Sequence, residues 1–138
     1  MSTLSARLGY LFKHAALRLE ELHREALAPF DVDGRELGVL IVVASDEPPS
    51  QHQVAQRLGV DRTTMVAMLD TLERKGLLSR HPHAHDRRRN IVELTEHGKD
   101  TLLRATQASD AAEQQLLAPL SAADQQRLRD ALHLIVND

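Results

Sequence analysis

Ten consecutive residues, Arg80-His-Pro-His-Ala-His-Asp-Arg-Arg-Arg89, hold the densest chemistry in the chain. Two chemistries are open to them. Arg80, Arg87, Arg88 and Arg89 against Asp86 give the segment a charge of +3, and guanidinium groups match phosphate oxygens in a planar fork. His81, His83 and His85 alternate and run into Asp86, and His and Asp are zinc-ligand types. On a strand these imidazoles would share one face. Against a metal, Pro82 should disrupt the strand, the arginines repel a cation, and no carboxylate cluster supports the tract. A milder consequence is extra positive charge below about pH 6.5. A basic loop can also be no more than a solvated turn, so its neighbours decide.

The net charge of the 138-residue chain is −3, so the residues outside this segment carry −6. Binding to phosphate depends on such local charge, because potentials are largely screened beyond about 8 Å at physiological salt. The chain has no Cys, which excludes a disulfide framework, a thiolate zinc site, an Fe–S cluster and a thiol switch. Its longest apolar run, Leu37 to Ala44, is far short of the roughly 20 residues that span a bilayer. The opening residues lack the apolar stretch and cleavage site of a signal peptide. A cytoplasmic protein away from membranes is expected. No Gly-x-Ser-x-Gly, P-loop, His-Glu-x-x-His or dinucleotide fingerprint is present, so neither an enzyme nor a cofactor is expected. The aromatic residues are Tyr10, Phe12 and Phe30, all outside the basic segment. That disfavours single-strand binding by base stacking.

The elements that must position the basic segment are mainly helical. Leu4, Leu8, Leu11, Ala15, Leu19 and Leu22 recur at helical steps and predict a helix to about Ala28, stopped by Pro29. Asp33 and Glu36 fit a helix start, and the β-branched run Val39 to Val43 is read as a buried helix. Ser50 and Gln53 form a capping box for a short helix to Leu58; Gly59 ends it. Asp61 caps the next helix, Arg62 to Lys75, which Gly76 ends. Leu77 to Arg80 and Asn90 to Leu94 read as strands of a hairpin with the charged segment at its tip. Thr95 and Ser121 cap two further helices.

Gln51 to Met68 carries the most information. Ala55 is small where two helices must approach, Gly59 tolerates positive φ at the turn, and Val54, Leu58, Val60, Met65 and Met68 supply the apolar set. These are the constraints of a helix-turn-helix; two core helices joined by a Gly turn are the plainer alternative. On the second helix Met65, Leu69 and Leu72 share one side, whereas Thr63, Ala67, Asp70 and Arg74 lie opposite. In a DNA reader the N-terminal turns meet base edges. Thr63 and Ala67, with Thr64 and Arg62 beside them, are therefore the candidate base-facing residues, and their methyls can touch a thymine methyl. Asp70 would face phosphates there and is expected to hold a neighbouring Arg instead. The basic hairpin then reads as a wing reaching the minor groove, where Arg is favoured in narrow A·T tracts. Asp86 can brace Arg88.

These residues resemble the multiple antibiotic resistance regulator (MarR) family of winged-helix repressors. The most specific piece is Asp86-Arg87-Arg88 followed by Leu94-Thr95-Glu96-His97-Gly98. The second is Val60-Asp61-Arg62-Thr63-Thr64, then Leu72-Glu73-Arg74-Lys75-Gly76-Leu77. The resemblance implies a mainly α fold: a winged helix-turn-helix with a small β-hairpin wing, and a dimerisation region of N- and C-terminal helices. On this reading residues 1–30 and 96–138 form the dimer and 34–95 the DNA-binding lobe. The implied partners are a second copy of the chain, a pseudo-palindromic double-stranded operator, and a small phenolic or anionic effector that weakens operator binding. Arg88 matches the wing Arg that enters the minor groove and Asp86 the acid that orients it. Arg62, Thr63, Thr64, Ala67, Arg74, Asp86, Arg87, Arg88 and Arg89 are the expected DNA-binding set, with no metal site. Val66 and Ala67 are apolar where many members carry a polar residue or Arg, so no polar base contact carries over to them. His14 and His23 fall on the first helix, near where the family binds ligand. A metal-responsive regulator and a winged-helix protein-interaction module are the alternatives.

Overall fold

The structure, a computed structural model, describes residues 3–45, 47–82, 84–85 and 90–137. A 3-10 turn at Leu4–Ala6 precedes helix α1 (Leu8–Leu27), so the first leucine of the expected stripe lies outside the α-helix proper. Pro29 sits inside a second 3-10 turn, Ala28–Phe30, and Asp31 then takes φ 55°. Helix α2 (Gly34–Val43) opens on a reciprocal cap. The Glu36 amide donates to Asp33 Oδ1 at 2.8 Å, and the Asp33 amide to Glu36 Oε1 at 3.0 Å. The β-branched run is helical as expected. A fixed start and the burial of Val39, Leu40, Val42 and Val43 outweigh strand propensity.

Helices α3 (Gln51–Leu58) and α4 (Arg62–Arg74) form the helix-turn-helix. Ser50 and Gln53 cap α3 reciprocally, and Gly59 at φ 66° lets the Val60 amide reach the Ala55 carbonyl at 3.1 Å. Strands β1 (Leu78–Pro82) and β2 (Asn90–Leu94) pair antiparallel from Leu78 opposite Leu94 to Pro82 opposite Asn90. The expectation that Pro82 disrupts the strand is thus corrected: Pro82 is the last residue of β1. At the terminal pair of a two-stranded ladder a missing donor is tolerated. One pairing was not anticipated. The Val92 amide donates to the Pro49 carbonyl at 2.9 Å and Ser50 bridges Ile91, so the segment before α3 covers the outer edge of β2. Helices α5 (Glu96–Leu117) and α6 (Ala122–Val136) complete the chain.

Leu37, Leu40, Val54, Met65, Leu69, Leu72, Leu78 and Val92 form one buried core beneath α2, α3, α4 and the hairpin. Ala105 joins it from α5. The buried positions of α5, Gly98, Thr101, Ala105, Ser109 and Ala112, are all small and fall at helical spacing. Helix α1 lies against α5, and His23 Nε2 meets Ser109 Oγ at 2.9 Å between them. The outer ends behave differently. Leu4 and Leu8 are 72% and 68% exposed, and Leu134, Ile135 and Val136 are 80%, 66% and 76% exposed. No residue of α6 is buried.

Candidate nucleic-acid interface

Helix α4 divides its residues as its sequence predicts. Met65, Leu69 and Leu72 are buried, while Arg62, Thr63, Ala67 and Arg74 are exposed and Thr64 is half-buried. The N-terminus of α4 is fixed by Asp61, which accepts from the Thr64 amide at 2.7 Å. That hydrogen bond, with the Thr64 hydroxyl, holds the Asp61 carboxyl below its ordinary range. Arg62 has no hydrogen-bond or ion-pair partner among the described residues, and Arg74 donates only to Thr71 Oγ1 at 3.3 Å.

Arg80 departs from this pattern. The sequence counts it with the basic tip, but the fold turns it inward. Its guanidinium donates to Asp70, to Glu73 Oε1 at 3.0 Å and to Gln51 Oε1 at 3.2 Å, and its amide to Glu73 Oε2 at 3.2 Å. Arg80 thus ties β1 to α3 and α4, and it is the Arg that Asp70 was expected to hold. The Arg80 side chain holds Glu73 below the usual carboxylate range, and Glu73 in turn raises Arg80. The cationic tip loses one of its four arginines to this clasp. The sequence pointed to an Arg for Asp70 but not to Arg80 or to Glu73 and Gln51, because pairs across a turn have no helical period.

The Leu-Thr-x-x-Gly element has a structural explanation. Gly76 at φ 76° closes α4, with the Leu77 amide bonded to the Leu72 carbonyl at 3.0 Å. The Thr95 hydroxyl donates to the Gly76 carbonyl at 2.6 Å and accepts from the Gly98 amide at 2.9 Å. The Thr95 amide donates to the Leu77 carbonyl at 3.1 Å. A Cβ on Gly98 would lie 1.9 Å from that same Leu77 carbonyl oxygen. The signature therefore locks the exit of α4 to the start of α5.

His83, Asp86, Arg87, Arg88 and Arg89 lie outside the described residues. Of the histidine tract, His81 is on β1 with Nε2 3.4 Å from Glu93 Oε1, and His85 is exposed. Among the described residues no three His, Asp or Glu side chains converge as a metal site. His14 stacks on Tyr10 with ring centroids 4.1 Å apart. His23 lines a cleft of about 890 Å³ between α1 and the start of α2, with Ala16, Leu19, Arg24, Val32 and Lys75. Lys75, the last cap of α4, reaches across that cleft to the Asp31 carbonyl and to Glu36 Oε2 at 3.1 Å. Sequence reasoning placed Lys75 only as a helix end.

These elements define a winged helix-turn-helix carried on long terminal helices. The MarR family pattern matches residues 30–89. A transcriptional repressor, CouR, solved on a 23-mer DNA duplex is 34% identical, with a TM-score of 0.90 over 96% of this chain and 94% of that one. CouR from Rhodococcus jostii RHA1 bound to p-coumaroyl-CoA is 27% identical, with a TM-score of 0.85 over 98% and 95% of the two chains. A protein of Thauera aromatica, named for transcriptional regulation of the hcr operon, is 37% identical over 87 residues, which cover 63% of this chain. The match spans about half, 52%, of that relative's length. The chain belongs to the MarR family of transcriptional regulators. Among the described residues no helix is long and apolar enough to cross a membrane.

Proposed function

We propose that the chain is a cytoplasmic transcription regulator that binds double-stranded DNA as a homodimer and releases it when a small molecule binds. The observation that carries this reading is the outer face of α4. Thr63, Ala67 and Arg74 stand exposed there with Arg62 exposed beside them, while Arg80 and Lys75 are held by carboxylates. The structure thus leaves uncommitted cations on the side of α4 that a major groove would meet. Arg87, Arg88 and Arg89 on the wing would add minor-groove contacts, with Asp86 orienting Arg88. The DNA complex of CouR supports the partner class, and its p-coumaroyl-CoA complex supports a small-molecule effector. The cleft between α1 and α2 offers a site for a phenolic or anionic one. The chain is read as a regulator without catalytic activity.

The exposed apolar residues of residues 1–30 and 96–138 support a dimer. Leu4, Leu8, Leu11 and Phe12 at one end and Leu134, Ile135 and Val136 at the other stay exposed among the described residues of one copy. A two-fold pair would set two half-sites about one DNA turn apart. Selection of bound duplexes from a random pool tests the reading. A pseudo-palindrome with half-sites about 10 base pairs apart is expected. A pool that shows no enrichment sinks the proposal.

A further inference from the structure

We infer that Arg35, at the first turn of α2, is an additional DNA-phosphate contact outside the recognition helix and the wing. This rests on the DNA-binding reading above. Arg35 lines the same shallow groove as Thr63, Thr64, Ala67 and Thr71 of α4. The groove therefore joins the candidate base-facing residues to a cation from a different helix. Arg35 is exposed, and no hydrogen bond or ion pair holds it among the described residues.

The carboxylates around it are already committed. Asp33 Oδ1 accepts the Glu36 amide, Glu36 accepts the Asp33 amide and the Lys75 ammonium, and Asp61 accepts the Thr64 amide. None of them forms a hydrogen bond or ion pair with Arg35 among the described residues. The charge of Arg35 still contributes to lowering the Asp61 carboxyl, which places it electrostatically beside the N-terminus of α4. A strand seated with its bases against Thr63 and Ala67 brings its flanking phosphates over the groove walls, and a cation on one wall can pair with a phosphate. Such a contact positions the helix without reading sequence.

Full-length wild type, Arg35→Ala, Arg35→Lys and Arg62→Ala are titrated by fluorescence anisotropy across a salt series. Two duplexes serve as probes: one recovered by the wild type from a random pool, and one of mixed sequence. Arg35→Ala is expected to weaken binding to both duplexes by roughly tenfold near 0.1 M salt. The slope of log K against log salt should fall by about one per copy bound. Arg35→Lys should recover most of the loss, since a phosphate contact needs charge more than shape. If Arg35→Ala keeps both affinity and slope while Arg62→Ala loses them, the inference about Arg35 is overturned and the DNA-binding reading stands. If the wild type binds neither duplex, the reading itself fails. A loss confined to the selected duplex would make Arg35 a base contact and overturn the phosphate assignment.

Discussion

Gly98 sets a hard limit at the start of α5. The nearest atom to an added Cβ is a backbone carbonyl, Leu77 O, at 1.9 Å, and that carbonyl already accepts the Thr95 amide. Neither partner can move without opening the exit of α4. Gly98→Ala should cost about 2–3 kcal/mol, read by denaturant melting, and a change below about 0.5 kcal/mol would show that the clasp yields. Arg80 gives a second prediction at this scale. Glu73 and Asp61 titrate below their ordinary values, so they stabilise the fold above the unfolded carboxylate pKa. That contribution is lost as pH falls through the lowered values. The melting temperature should therefore drop below about pH 4. In Arg80→Gln the drop should be shallower, because Glu73 loses the partner that lowers it, while the melting temperature at pH 7 is already reduced. Parallel acid profiles for the two proteins would remove Arg80 from the account.

The individual elements differ in how well they satisfy themselves. Helix α4 buries one face fully and presents the other. The first turns of α1 and the last of α6 bury almost nothing within a single copy. Leu8→Glu and Ile135→Glu change residues that are 68% and 66% exposed, so each protomer should keep its helical content. Association should weaken instead, because burying a charge in an apolar interface is costly. Sedimentation equilibrium reads the outcome: the proposed dimer is expected to shift to monomer, a dimer of unchanged mass would place the interface elsewhere, and a monomeric wild type would overturn the dimer. The wheel of α4 and the caps of α2, α3, α4, α5 and α6 were legible in the sequence. Each depends on residues within one or two turns, where spacing fixes geometry. The first leucine stripe was legible as a face, but its exposure in one copy was not. Periodicity shows that a face is apolar and not what covers it.

At the scale of the whole molecule, the cleft between α1 and α2 is bridged by Lys75, which also caps α4. An effector seated there, as proposed, would meet the same residue that ends the candidate recognition helix. Ala16→Trp, on the exposed wall of α1, should fill the cleft. DNA binding should then persist while the response to an aromatic carboxylate, such as a hydroxybenzoate or cinnamate, is lost. Anisotropy of a selected duplex with and without the acid decides it. A variant that responds like the wild type would place the effector elsewhere.

The sequence alone determined the helix-turn-helix, the hairpin, the caps and the outward set on α4, since these follow from local spacing and local hydrogen bonding. The concentration of charge near residue 85 was likewise plain in it. Only the tertiary structure decided which cations remain available. It drew Arg80 into Asp70, Glu73 and Gln51, and Lys75 into Glu36, and left Arg35 beside Thr63 and Ala67. It also gave β2 a second neighbour at Pro49 and kept Pro82 within β1. Each of these joins residues from separate elements, so no period in the chain encodes it. A charge counted along a sequence becomes a binding surface only where the fold leaves it without a partner.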